Sequence, residues 1–310
     1  MVKKVLKKII KKKHNDSKKE KVIEDKTIFK NKEQNIEEKS WLDKNVFLKL
    51  GIVFLITQFL GIYVSLVLYS LGLNQGAFFE DINDINNSIL LIIQILVFSG
   101  ILLVILKFSK GRKVLWIIEF MAITMSAMIF FTAFFPTNDY IVLALIIILL
   151  VLRYTHRENV LIKNVTSIIA IVGAGGLIGI TMGILPVLTF IILLSIYDYI
   201  AVFKTKHMLT LASAIVKNNF AFTVSFPNEK HKFELGNGDL VIPLIVVSSI
   251  ISNGLFNNNV LVATLCSIGA LAGLFFSIYI VSTKKIPLPA LPPQTAIMVL
   301  IIIISWILKL

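Results

Sequence analysis

Nine stretches of the chain are almost continuously apolar, separated by polar connections: residues 46–70, 88–107, 114–135, 140–152, 165–181, 185–203, 239–256, 260–282 and 289–308. Their isoleucines, leucines and valines run on without the alternation of a half-buried strand. Runs of about 17–25 apolar residues match the hydrocarbon thickness of a bilayer. A chain crossing hydrocarbon must pair its backbone polar groups internally, which a helix does. The pattern predicts an all-α polytopic membrane protein with nine transmembrane helices. The fourth run is short, and the fifth and sixth are divided only around Gly183 and Pro186.

The connections alternate in charge. Glu80, Asp81 and Asp84 lie in the first, and Lys107, Lys110, Arg112 and Lys113 in the second. The third carries Asp139, the fourth Arg153, Arg157 and Lys163, and the fifth nothing charged. The sixth holds Lys204, Lys206, Lys217, Lys230 and Lys232, the seventh three asparagines, and the eighth Lys284 and Lys285. Basic connections face the cytoplasm. The amino terminus is therefore expected inside and Leu310 outside. Residues 1–45 form a lysine-rich cytoplasmic tail with interspersed acids and no apolar core of a signal peptide. It is expected to be disordered and to meet anionic lipid; no nucleic-acid partner is expected. Residues 46–310 form the membrane domain.

Composition narrows the class further. The 310 residues are 56% hydrophobic, with a net charge of +13, which excludes an ordinary soluble domain. The single cysteine, Cys266, rules out an internal disulfide, and His14, His156, His207 and His231 have no ligand spacing, so no metal is expected. One long polar excursion, residues 204–238, interrupts the apolar body. Within it, residues 208–216 have the spacing of an amphipathic interfacial helix. Residues 220–226 and 232–235 have the character of two short strands around a turn at 227–230.

Two acids stand out against this background. Asp198 lies inside the sixth run, and Asp239 opens the seventh. An acid at the centre of a membrane helix costs about 2.5–3.5 kcal/mol, so its presence points to function. Two carboxylates at matching depth on consecutive spans suit acid–base chemistry on water. The alternative they also suit is an ion or proton-coupled transporter or leak channel. Glu119, just inside the third run, reads as an interfacial group, and Gln58 and Gln94 as interhelical hydrogen-bonding groups. Gly173, Gly175, Gly176 and Gly179 read as a close-packing face, since no strand precedes them as a dinucleotide fingerprint requires.

Three short motifs occur in order: Tyr197-Asp198 in the sixth span, Gly236-Asn237-Gly238-Asp239 opening the seventh, and Pro289-Ala290-Leu291 opening the ninth. Each alone is weak; the ordered set is specific. It resembles the presenilin and signal-peptide-peptidase family of intramembrane aspartyl proteases, over the body from 46 to 310. The resemblance implies an aspartic endopeptidase that cuts within the transmembrane segments of membrane proteins or signal-peptide remnants. It makes Asp198 and Asp239 catalytic and gives Tyr197, Gly236 and Gly238 a part in shaping the site. It assigns Leu235, Pro289, Ala290 and Leu291 to substrate. It implies no cofactor. The charge pattern favours the presenilin orientation, and the compact length suggests a microbial cell-membrane homologue that works without accessory subunits. The loop between the aspartates is shorter than in animal presenilins, so self-cleavage there is not expected.

The chemistry has a physical basis of its own. Two neighbouring carboxylates do not both ionise cheaply, so they share a proton and titrate as a pair. One then takes a proton from water while the other donates to the scissile carbonyl. The substrate helix must also unwind to expose its amide, and pairing with a strand near residues 233–235 would stabilise that extended form.

Overall fold

The computed structural model describes residues 44–74, 79, 81–107, 111–205, 219–227, 232–284 and 288–310. The tail before residue 44 and the amphipathic stretch 208–216 lie outside them. Nine helices are found among the described residues. They are α1 (Lys44–Ser70), α2 (Asn86–Lys107), α3 (Gly111–Phe134), α4 (Asp139–Thr155), α5 (Val160–Ile180), α6 (Ile184–Ile200), α7 (Gly238–Asn253), α8 (Asn259–Lys284) and α9 (Leu291–Ile307). Five of these, α1, α3, α5, α6 and α8, are individually long and apolar enough to cross a membrane, and most of α2, all of α7 and all of α9 are shorter apolar helices. A hairpin of β1 (Thr223–Pro227) and β2 (Lys232–Gly236) lies between α6 and α7, antiparallel, with Val224 opposite Leu235 and Phe226 opposite Phe233.

The centre of the bundle is α7. From Leu240 to Ser252 all but one of its residues are buried. It contacts α5, α6, α8 and α9, and side chains of α1 reach it as well. Small residues make this crowding possible. A Cβ on Gly61 of α1 would run into the Leu244 side chain, and one on Gly179 of α5 would meet Ser248 and the Ile245 carbonyl. On another face of α5, a Cβ on Gly173 would collide with the Ser126 carbonyl of α3. Gly176 lies against Val64 and Ser65 of α1, so the glycine stripe is a packing surface for three neighbours. Contacts of this kind drive helix association where lipid is as apolar as the helix. Ser65 of α1 adds a polar tie, its hydroxyl hydrogen-bonded to the Ser248 hydroxyl at 2.7 Å.

The structure corrects three polar assignments. Arg153 and Lys163, read as charges of a connecting loop, lie within α4 and α5 and are completely buried. Helix α5 starts at Val160, capped by the Asn159 side chain, so the polar residues before the apolar run are already helical. Glu119 is not interfacial either: it is 1% exposed and ion-paired with Arg153. Burial of these charges is tolerated because each has a partner in the hairpin region or beside it. Gln58 does bond between helices, whereas Gln94 is exposed on α2.

These charges anchor the hairpin. Arg153 donates to Glu119 from Nε at 3.1 Å and Nη2 at 3.0 Å, and to the Asn219 carbonyl at 2.6 Å. Glu119 in turn accepts from the Ala221 N–H at 2.9 Å. Asn219 takes the left-handed conformation (φ 54°), which asparagine tolerates better than most residues. On the strands themselves, Lys163 Nζ donates to Thr223 Oγ1 at 2.9 Å, Ser225 Oγ at 2.8 Å and Glu234 Oε2 at 2.8 Å. Asn164 exchanges two hydrogen bonds with the Ser225 main chain.

Candidate active site

Strand β2 runs directly into the turn that carries Asp239. Asn237 is the N-cap of α7; its N–H donates to the Phe222 carbonyl at 3.1 Å and its side-chain amide to the Ala221 carbonyl at 2.9 Å. The hairpin, itself fixed by Glu119 and Lys163, therefore fixes the start of α7. Asp239 follows two residues later, in the first helical turn, where a carboxylate is compatible with the helix dipole.

Asp198 comes from the last turn of α6 and is 9% exposed. Just beyond it the backbone loosens into a π-helical turn, Ala201–Thr205, a distortion common at functional sites. Asp198 and Asp239 lie close enough to interact electrostatically. The start of α9 completes the enclosure: the Leu291 N–H points at Asp198 Oδ2, 3.4 Å away. Pro289 and Leu291 are buried and Ala290 is half-buried. Tyr197 packs partly buried against the core. The three sequence motifs, scattered over more than ninety residues (Leu291 to Asp198, sequence separation 93), thus meet around two carboxylates.

The glycines next to Asp239 have a simpler geometry than close backbone approach. Neither has a positive φ. Among the described residues beyond their chain neighbours and local helix backbone, Gly238 has nothing within 4 Å of its missing Cβ, and Gly236 has Asp239 Oδ2 alone, at 3.8 Å. They leave open space beside the carboxylate. Leu235, in contrast, has its side chain in the core opposite Val224.

Two glutamines absent from the sequence assignment of the site also converge on this turn. Gln58 of α1 donates to the Leu240 carbonyl at 3.1 Å, and Gln294 of α9 donates to the Asp239 carbonyl at 3.3 Å. Both are buried, and the side-chain oxygen of each has no hydrogen-bond partner among the described residues. The one sequence signal for Gln294 was an amide inside an apolar run, three residues after Leu291. Among the described residues no cluster of histidine, cysteine and acidic side chains is arranged to hold a metal ion.

The fold and its enclosed acid pair define a polytopic helical membrane protein with an internal carboxylate site. Residues 51–306 match the family described as signal-peptide peptidase, presenilin aspartyl protease. Two solved structures, both of a presenilin family intramembrane aspartate protease in different crystal forms, share this fold. One has a TM-score of 0.62 and 23% identity, covering 87% of this chain and 100% of that one. The other has a TM-score of 0.61 and 23% identity, covering 84% and 97%. No curated protein matches the chain. The chain belongs to the signal-peptide peptidase and presenilin aspartyl protease family, and it is an intramembrane aspartic endopeptidase. Family membership decides against the transporter reading.

Proposed function

We propose that Asp198 and Asp239 are the catalytic pair, and that the enzyme hydrolyses peptide bonds within the transmembrane segments of membrane proteins or signal-peptide remnants. The observation that carries this reading is the convergence of α6, α7 and α9 on the two carboxylates, with the Leu291 N–H directed at Asp198. In the proposed reaction the ionised member of the pair accepts a proton from water as the water adds to the scissile carbonyl. The protonated member donates to the carbonyl oxygen, giving a tetrahedral diol. Return of a proton to the amide nitrogen breaks the C–N bond and releases a carboxylate and an amine.

Substrate must reach the pair unwound. Strand β2 leads straight to Asp239, and its main chain is suited to pair with an extended substrate segment. With the Leu235 side chain facing the core, its contact with substrate falls to its main chain. The open space at Gly236 and Gly238 suits passage of a substrate backbone, and Pro289, Ala290 and Leu291 border the other side. In this reading Tyr197 shapes the wall beside Asp198. In this reading the basic connections favour an amino terminus and a hairpin on the cytoplasmic side, with the single chain acting without accessory subunits.

The test is cleavage of a single-span reporter by purified protein in liposomes, with Asp198→Asn and Asp239→Asn in parallel. Product from the wild type and from neither variant is expected. Equal product from all three would sink the assignment.

A further inference from the structure

Helix α7 contains an internal proline, Pro243, four residues after Asp239. In an α-helix the N–H of residue 243 would donate to the carbonyl of residue 239. Proline has no N–H, and its ring crowds that carbonyl. The residue bearing the proposed catalytic carboxylate has therefore lost its intrahelical donor, in the first turn of the most buried helix. A buried carbonyl without a donor is costly. The donor it does receive is the Gln294 side-chain amide, at 3.3 Å.

We propose that Gln294 is a positioning residue for Asp239, supplying from α9 the hydrogen bond that Pro243 removes from α7. The inference rests on the reading of Asp239 as catalytic. Three observations support it. Gln294 is fully buried, and its acceptor oxygen has no partner among the described residues, a burial that hydrophobic packing does not require. Its backbone is seated against Gly273 of α8, where a Cβ would come within 2.7 Å of the Gln294 N and Cα, so α8 sets the depth from which the amide reaches. Gln58 makes the matching bond from α1 to the next carbonyl, that of Leu240, at 3.1 Å. Two amides from separate helices thus hold consecutive carbonyls of a turn from which the proline removes a donor. Because Gln294 lies three residues after Leu291, whose N–H faces Asp198, one stretch of α9 contacts the main chain of Asp239 and the carboxylate of Asp198 together. That arrangement fixes the spacing of the pair.

The proposal makes Gln294 conditionally dispensable, because Pro243→Ala restores the helix's own N–H donor. Reporter cleavage would be measured for wild type, Gln294→Met, Pro243→Ala and Pro243→Ala/Gln294→Met, with size exclusion and thermal unfolding as checks of folding. Displacement of a catalytic group by an ångström costs on the order of 100-fold in rate. Gln294→Met should lower kcat by about 10- to 100-fold with little change in KM, and the same substitution on the Pro243→Ala background should cost less than about threefold. Gln294→Asn, which keeps the amide but shortens its reach, should behave like Gln294→Met and provides a second reading if that variant does not fold. An equal loss on both backgrounds, or no loss in the wild-type background, overturns the proposal. Asp239→Asn belongs in the same assay: activity there overturns the catalytic reading itself, whereas an inactive Asp239→Asn beside a fully active Gln294→Met overturns only the role of Gln294.

Discussion

Arg153 and Glu119 form a buried ion pair, with two guanidinium nitrogens 3.0 and 3.1 Å from one carboxylate oxygen. The same oxygen accepts from the Ala221 N–H, and the Ala221 carbonyl accepts from Asn237, the N-cap of the helix carrying Asp239. A continuous line of hydrogen bonds therefore runs from α3 and α4 to the active-site turn. Removing one partner of a buried pair leaves an uncompensated charge and costs about 3–5 kcal/mol. Glu119→Ala and Arg153→Met should each destabilise the protein by that order in detergent unfolding, and the double variant by much less than their sum. Additive losses would mean that the pair is not coupled.

Lys163 holds the strands by a different route, through Thr223, Ser225 and Glu234. Its replacement by Met leaves the Glu234 carboxylate without that cation while keeping the bulk of the side chain. The helical bundle should persist, and hydrogen exchange at Thr223–Pro227 and Lys232–Gly236 should rise. Reporter cleavage should fall at least tenfold, the order expected when a catalytic turn is misplaced. Unchanged exchange in both strands would remove Lys163 from the anchoring of the hairpin.

Gly238 separates stability from access. Beyond its chain neighbours and its own helix backbone, no described residue has an atom within 4 Å of the position a Cβ would take, and the residue's φ is not in the left-handed region. Gly238→Ala should therefore change stability by no more than about 0.5 kcal/mol. If substrate backbone passes through that space, cleavage should still drop, with the loss mainly in KM. Cleavage kinetics identical to wild type would place the substrate elsewhere.

A pair that works with one proton between its two carboxylates loses activity when that proton is removed and when a second is added. Cleavage should trace a bell against pH, with the alkaline limb reporting loss of the shared proton. A flat profile in liposomes across the range in which the bundle stays folded would argue against a proton-sharing mechanism.

The succession of nine helices was legible in the chain because each depends on a local property: a run of apolar residues long enough to bury its own backbone. The helix ends differ from the apolar limits by at most five residues, at Val160 of α5, where polar side chains continue the helix because the hairpin covers them. The three motifs were legible as residues in order. Their meeting at one point came from tertiary packing that glycines make possible, α1 and α5 against α7 and α8 against α9.

What tertiary structure alone decided was the meaning of the polar side chains. Arg153 and Lys163 look like ordinary loop cations until Glu119, 34 residues from Arg153, and Glu234, 71 residues from Lys163, are seen beside them. Gln294 has no evident partner in its own segment, since it donates to a carbonyl 55 residues away that Pro243 has left free. Apolar transfer is a sum over neighbouring residues, so sequence determines it. A buried charge or amide is tolerated only through a partner in the right geometry, and folding supplies that partner from elsewhere in the chain.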